Sequence, residues 1–406
     1  MKVLVLNSGS SSLKYQLIES DTEEVLAKGL AERIGLAEGA LKYETEKNGK
    51  KVIDAPLPNH DVAMDLVFKV LTDPVDGAIS SISEIAAVGH RVVHGGEKFT
   101  SSVLVTEETL TEIAKVSNLA PLHNPANLMG IKACIRLMPG VPQVTVFDTA
   151  FHSTIPNYAY TYALPYKMYA DHGIRRYGFH GTSHKYVSAR AAKLMAAKGT
   201  DPSTLKMVTC HLGNGCSMAA IVGGKVIDTS MGLTPAEGLM MGTRSGDLDP
   251  AILLFVQREL NLSVDEVDNL INKKSGLLGI SGKSSDMRDI EEGTAAGDER
   301  CTLALEIFCY RVRKYIGAYA AAMGWLDAVV FTGGIGENGP IVREKATDGL
   351  GYMGIELDQE KNSKTRNEAD ISVDTARVRT FVIPTNEEMM IARDTVEIVT
   401  GKSSRA

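Results

Sequence analysis

The fold turns on the reading of Lys2–Ile18, KVLVLNSGSSSLKYQLI, beside Lys206–Val222, KMVTCHLGNGCSMAAIV. Val3-Leu4-Val5-Leu6 is a continuous apolar run of the kind that fills a buried strand, and Leu13–Ile18 resumes strand character. The small residues Asn7–Ser12 then close a hairpin, with Gly9 expected to supply a positive φ. By composition alone the same six residues read as a linker or a plain polar turn. A turn of exposed N–H groups and hydroxyls also makes a cradle for phosphate oxygens. The second segment repeats the device position by position: Lys, apolar strand, small-residue turn with Gly213 in the place of Gly9, second strand. Two halves opening on one strand–turn–strand unit point to a duplicated fold.

Bulk properties narrow the classes. The chain has 406 residues, enough for two domains, and 44% hydrophobic with 23% charged residues is an ordinary globular balance. A net charge of -7 without a Lys/Arg run argues against nucleic acid and against a basic membrane-surface helix. Five cysteines, odd in number and without CxxC spacing, suggest neither a disulfide framework nor a zinc site. The apolar run at the start is too short for a signal peptide, and no stretch is long enough to span a membrane. The expectation is a reduced, cytoplasmic protein.

A third segment, Leu326–Gly339, LDAVVFTGGIGENG, reads as a buried strand at Asp327–Phe331 and a Gly-rich turn at Thr332–Asn338. A helix follows, with Pro340 in its first turn. Consecutive glycines let a sugar or flat ring approach the backbone. The GxGxxG dinucleotide spacing is absent.

In this order the three segments resemble the actin, hexokinase and sugar-kinase superfamily. The motifs NSGSSSLKY, GHRVVHGGEKF, LAPLHNP, VFDTAFH, YGFHGTSH, HLGNGCS, GLMMGTRSGDLDP, SSDMRDI, FTGGIGEN and IPTNEEMMIA narrow the resemblance to the acetate kinase family. They run from residue 7 to residue 392, essentially the whole chain. The resemblance implies an α/β protein of two duplicated actin/ribonuclease-H-like domains with a nucleotide cleft between them. The expected domains are 1–152 and 153–387, with a C-terminal helix at about 388–400 packing back on the first. It implies reversible, Mg²⁺-dependent transfer of the ATP γ-phosphoryl group to acetate, giving acetyl phosphate and ADP, with Mn²⁺ as an alternative ion. It also implies a homodimer. The rival readings are a propionate or butyrate kinase on the same scaffold, and an actin- or chaperone-like ATPase with no small acceptor.

Acetate has a pKa of about 4–5 and is already an anion at neutral pH, so its phosphorylation needs charge stabilisation rather than a base. Arg91, before Gly95-Gly96, and Arg244, flanked by Gly242 and Gly246, are the candidates to grip carboxylate or phosphoryl oxygens. Asp148 ends the strand-like QVTVF, where a carboxylate faces the ligand side of an α/β sheet. The family assigns that position an acid/base role; the chemistry favours orientation of Arg91 or of the Mg²⁺ shell. His180 precedes a helix expected to begin near Thr182, and the family's role for it is donation to the transferring phosphoryl. His184, four residues on, is read as a first-turn helix residue, with Gly181 expected to make a turn between the two. Arg91 lies in a short strand-like run, and Val93, two residues on, is expected to point to the same face. The resemblance places Val93, Leu122, His123, Phe179 and Pro235 with Arg91 at the acetate site. It places Lys14 and His211, Leu212, Gly213, Asn214 and Gly215 at the phosphates, and Asp286, Met287 and Arg288 at adenine and ribose. Gly334, Ile335, Gly336, Glu337 and Asn338 lie beneath the nucleotide in that reading. Asn7 and Glu387 are the implied Mg²⁺ pair, Glu388 being the rival to Glu387.

Overall fold

The computed structural model describes residues 1–45, 49–121 and 123–402. The chain divides into two units, Met1–Phe151 with Asn386–Ala406, and His152–Thr385. Glu387 therefore belongs with the first unit rather than the second.

In the first unit the strands are β1 (Lys2–Ser8), β2 (Ser12–Glu19), β3 (Glu24–Glu32), β4 (Ala40–Thr45), β5 (Gly49–Asp54), β6 (Ala87–Val92), β7 (Val103–Leu104) and β8 (Gln143–Phe147). They form one sheet in the order β5-β4-β3-β2-β1-β6-β8-β7. β1 pairs antiparallel with β2 and parallel with β6, which pairs parallel with β8. Alternation along β1 sends Leu4 and Leu6 to one face and Val3 and Val5 to the other. The first face packs on Ala63, Met64, Val67 and Phe68 of the helix His60–Leu71. The second packs on Met389, Ile391 and Ala392 of the helix Glu387–Thr400, beside Val144 and Val146. Gly89 in β6 permits that seating: a Cβ there would lie 2.4 Å from Thr395 Oγ1 and 2.7 Å from Ile391 Cγ2.

In the second unit β9 (Lys206–Leu212), β10 (Cys216–Val222), β11 (Lys225–Thr229), β12 (Ala328–Thr332), β13 (Ala369–Asp370) and β14 (Arg379–Val382) make a sheet ordered β11-β10-β9-β12-β14-β13. Its first five strands repeat β3-β2-β1-β6-β8 in order and direction, antiparallel on one side of β9 and parallel on the other. β1 and β9 also share one burial pattern residue for residue. The duplication read from the two hairpins is thus present in the sheets.

Details differ from the sequence reading. Asn7 and Ser8 are still on β1 and Ser12 is already on β2, so the turn is shorter than expected. Ser8 pairs with Leu13 but Leu212 with Cys216, so the first turn carries one more residue and the repeat slips by one in the second strand. Gly9 does not adopt a positive φ. Its lack of a side chain provides room instead, since a Cβ would sit 2.8 Å from Ser12 Oγ. Gly333–Asn338, read as a turn, is a short helix, followed by the helix Pro340–Thr347. Among the described residues no helix is long and apolar enough to cross a membrane, and all five cysteines are free and buried.

Two buried histidines give the fold an acid limit. His90 meets Gln143 Oε1 at 2.7 Å, and burial pushes its pKa down from 6.5 to about 4. Burial, with His152 and His211 nearby, moves His184 the same way. The unfolded chain takes up these protons near 6.5 and the folded chain only at lower pH, so their contribution holds above 6.5 and is lost as pH falls. The urea midpoint should fall from pH 6.5 towards pH 4, His90 alone accounting for on the order of 3 kcal/mol. The slope should shrink in His90→Asn; an equal slope in that variant would rule out His90 as its source.

Candidate active site

The carboxyl ends of the parallel strands β1, β6 and β8 bring Asn7, Arg91 and Asp148 together. Arg91 Nε donates to Asp148 Oδ1 at 3.2 Å, Nη2 donates closely to Oδ2, and Nη1 reaches Asn7 Oδ1 at 3.4 Å. Glu387, first residue of the C-terminal helix, places Oε2 3.8 Å from Arg91 Nε. Glu388, its rival in the sequence, is engaged by Lys14 instead. Burial lifts the Glu387 carboxyl to about 7; Asp148 and Glu388 add to the rise, while Arg91 and Lys14 oppose it. Burial pulls on the Arg91 guanidinium, but Asp148 and Glu387 outweigh it and hold its pKa above the usual value.

The segment after Arg91 is tied to the helix Asn124–Leu137. Val93 N–H donates to Asn127 Oδ1 at 3.1 Å, His94 N–H donates to Asn124 Oδ1 at 3.1 Å, and Asn124 Nδ2 donates to the His94 carbonyl at 2.9 Å. β6 ends at Val92, so Val93 lies on a bend and strand alternation does not place its side chain beside that of Arg91. His123 caps the same helix through its backbone position. Leu122 lies outside the described residues.

In the second unit the helix Gly181–Ala196 begins one residue earlier than expected, with His180 as its N-cap at a left-handed φ of 57°. No turn separates His180 from His184; they stand one helical turn apart and converge on Ser217 rather than on a metal position. His180 Nδ1 and His184 Nε2 each lie 2.8 Å from Ser217 Oγ, and His184 Nδ1 lies 2.7 Å from Thr209 Oγ1. His211 stacks on His180 with ring centroids 4.2 Å apart and meets Ser183 Oγ at 2.8 Å. Phe179 is buried, its carbonyl 3.0 Å from His152 Nε2.

Arg244 lies within a loop closed by Asp247, whose carboxylate accepts from Gly238 N–H and from the Tyr315 hydroxyl. Gly246 is required there: its φ is +69°, and a Cβ would meet the Leu239 carbonyl oxygen at 2.4 Å. The Arg244 guanidinium donates to the Pro235 carbonyl at 3.2 Å and touches Met241 Sδ at 3.7 Å, and no carboxylate among the described residues pairs with it. Burial lowers its pKa. A Cβ on Gly215 would lie 3.3 Å from Arg244 Nη1 and 3.7 Å from His180 Nε2, so the two cationic or donor groups share the space a side chain would fill.

A cavity of about 720 Å³ opens in the same unit, lined by Gly213, Asn214, Ser285, Asp286, Met287, Arg288, Glu291, Gly334, Ile335, Asn338 and Gly339. Its volume is that of a small-molecule site. Asp286 caps the helix Met287–Ala295, and hydrogen bonds from the Arg288 side chain and backbone hold its pKa at about 2. Leu212, Gly215, Gly336 and Glu337 do not line this cavity. The Leu212 side chain is in the core, and Glu337 Oε1 folds back to accept from Gly333 and Thr385 N–H. Lys14 belongs to the first unit, paired with Glu388. Arg343, fully buried, donates to the Gly336 and Glu337 carbonyls and so holds the far end of the short helix. Sequence reasoning missed Ser217, Thr209, Asn124, Asn127, Ser285, Glu291 and Arg343. Ser217, Asn124 and Ser285 sit inside the quoted HLGNGCS, LAPLHNP and SSDMRDI motifs and Thr209 inside the segment Lys206–Val222; Asn127, Glu291 and Arg343 carried no signal on their own.

The chain matches the model of the acetokinase family over residues 2–393. It is 57% identical over 399 residues to an acetate kinase of Halothermothrix orenii, covering 98% of this chain and 100% of that protein. It is 59% identical over 402 residues to an acetate kinase of Thermotoga petrophila, covering 98% and 99%. Its structure is similar to that of an acetate kinase from Porphyromonas gingivalis, at TM-score 0.95, 51% identity and 98% and 99% coverage. A propionate kinase from Francisella tularensis gives TM-score 0.90 and 44% identity at 98% and 99% coverage.

Proposed function

The chain belongs to the acetokinase family, and on that premise we propose how its residues transfer the γ-phosphoryl group of ATP to acetate. An acetate oxygen attacks the γ-phosphorus, the bond to the bridging oxygen of ADP breaks, and ADP leaves with the electron pair. The observation that carries the reading is Arg244, half-buried without a carboxylate partner among the described residues, aimed with His180 at the open face of Gly215. Such a cation calls for an anion, and a planar guanidinium suits the equatorial oxygens of a phosphoryl group in transfer. Arg91 grips the acetate carboxylate, and Asp148 fixes the guanidinium rather than removing a proton. The cavity beside Asp286–Arg288 and Gly334–Ile335 takes the nucleoside.

Around Arg91, the carboxylates of Asp148, Glu387 and Glu388 outnumber the cations Arg91 and Lys14. That excess, with hard oxygens from Asn7 and Glu387, fits a Mg²⁺ ion held by few protein ligands and several waters. Bound there, Mg²⁺ supplies positive charge to the phosphates; Mn²⁺ offers the same chemistry. Chelation should abolish turnover, and Asn7→Ala should raise the Mg²⁺ concentration for half-maximal rate about tenfold or more. An unchanged Mg²⁺ requirement would remove Asn7 from the ligand set.

Incubation with ATP, Mg²⁺, acetate and hydroxylamine tests the reaction directly. Acetohydroxamate is the expected product; ATP hydrolysis without it would favour the acceptor-free ATPase reading. Acetate should exceed propionate in kcat/KM, by about tenfold or more, because one methylene is worth only about 1–3 kcal/mol. The exposed apolar residues Ile252, Leu254, Phe255 and Leu260 support a homodimer, which sedimentation equilibrium tests. The five free cysteines support a reducing, cytoplasmic setting.

A further inference from the structure

We propose that Thr209, His184 and Ser217 form a one-way hydrogen-bond chain that fixes His180 as the neutral tautomer with its proton on Nε2. The proposal rests on the reading of His180 as a donor to the transferring phosphoryl group and supplies what that reading lacks, a reason for the ring to present N–H rather than a lone pair.

The direction follows from counting protons. Thr209, His184 and Ser217 are each fully buried. The only hydrogen bond of the Thr209 hydroxyl among the described residues is to His184 Nδ1, at 2.7 Å. If His184 donated from Nδ1, the Thr209 proton would be stranded in the core, at a cost of about 1–3 kcal/mol. Thr209 therefore donates, and His184 Nδ1 accepts. Burial keeps the His184 ring neutral, so its one proton sits on Nε2 and is given to Ser217 Oγ at 2.8 Å. The Ser217 proton then has one acceptor left, His180 Nδ1, also at 2.8 Å. With Nδ1 accepting, the His180 proton is on Nε2, the atom that faces the open side of Gly215 beside Arg244. The opposite tautomer would turn a lone pair towards a phosphoryl oxygen and repel it.

Secondary structure makes the alignment. Thr209 and Ser217 lie on neighbouring antiparallel strands, Ala219 opposite Thr209 and Ser217 opposite His211, so both side chains project from one face of the sheet. His180 and His184 project on that face from one turn of the helix Gly181–Ala196. His184 and Ser217 are thus positioning residues, acting through His180 rather than on the substrate.

The test reads the tautomer without substrate. In protein labelled with ¹⁵N-histidine, long-range ¹H–¹⁵N correlations separate the two tautomers, and His180→Asn assigns the signal. Wild type should show His180 protonated on Nε2. Thr209→Asp, which puts an acceptor in place of the hydroxyl donor, should draw the His184 proton to Nδ1, turn the chain round and bring in the Nδ1–H form of His180. It should lower kcat about tenfold with the KM for ATP within about twofold, a smaller loss than deletion of a transition-state donor. Thr209→Ser, which keeps the donor, should leave both readings as in wild type. Ser217→Ala, which removes the donor to His180 Nδ1 itself, should also admit the Nδ1–H form and serves if Thr209→Asp does not fold. Wild-type His180 carrying its proton on Nδ1, or folded Thr209→Asp or Ser217→Ala with an unchanged tautomer, would overturn the proposal. A correct tautomer in a protein that makes no acetohydroxamate would leave the chain standing and refute the phosphoryl-donor role instead.

Discussion

Arg244→Ala should lower kcat for acetyl phosphate formation by about 10²- to 10³-fold, since a positioned donor to developing charge is worth roughly 2.7–4 kcal/mol. Folding should survive. The guanidinium makes no ion pair among the described residues, so its removal strands no buried carboxylate, and only the Pro235 carbonyl and Met241 sulfur lose a contact. Arg244→Lys should recover only part of the rate, because an ammonium restores charge but not the planar fork. The measurement is steady-state kinetics beside circular dichroism of the same samples. A folded Arg244→Ala enzyme within about tenfold of wild type, some 1.4 kcal/mol, would remove Arg244 from the transition state.

Asp148→Asn should cost about a hundredfold in kcat/KM for acetate, of the order of a lost charge-assisted pair. Its carboxylate, 1% exposed, receives Arg91 through both Nε and Nη2. An amide offers one accepting oxygen in place of two and turns its NH₂ towards the guanidinium, so Arg91 loses orientation and charge balance together. Acetate is already ionised, so above the range where Glu387 titrates the loss should be uniform, over roughly pH 8 to 9. Recovery of the variant at high pH would instead mark Asp148 as a proton acceptor.

Much of the fold was legible because the decisive signals are local. Apolar runs with a glycine turn declared both hairpins, and Arg91 and Asp148 stand where strand ends put functional side chains. What escaped was set by contacts remote in sequence. Gly333–Asn338 reads as a turn because glycine is a poor helix former, yet Glu337 satisfies its first N–H and Arg343 its C-terminal carbonyls. Val93 reads as strand until Asn127, on another helix, captures its N–H and bends the chain. Leu212 lies within a motif full of ligand-type residues, but strand alternation turns its side chain into the core. The Thr209–His184–Ser217 chain spans two strands and a helix, a closeness no linear spacing expresses.

The helix Glu387–Thr400 completes the first unit from the far end of the chain. During synthesis, β1, β6 and β8 leave the ribosome long before it, and the Val3, Val5, Val144 and Val146 face has no apolar cover until residues 387–400 emerge. At the usual elongation rates of about 5–20 residues per second, that surface waits tens of seconds for its partner. The same helix delivers Glu387 to Arg91. Truncation before residue 386 therefore removes an acidic group of the site and the cover of a sheet in one stroke, so a prematurely terminated chain is sticky and inactive together, a natural substrate for chaperones and proteases.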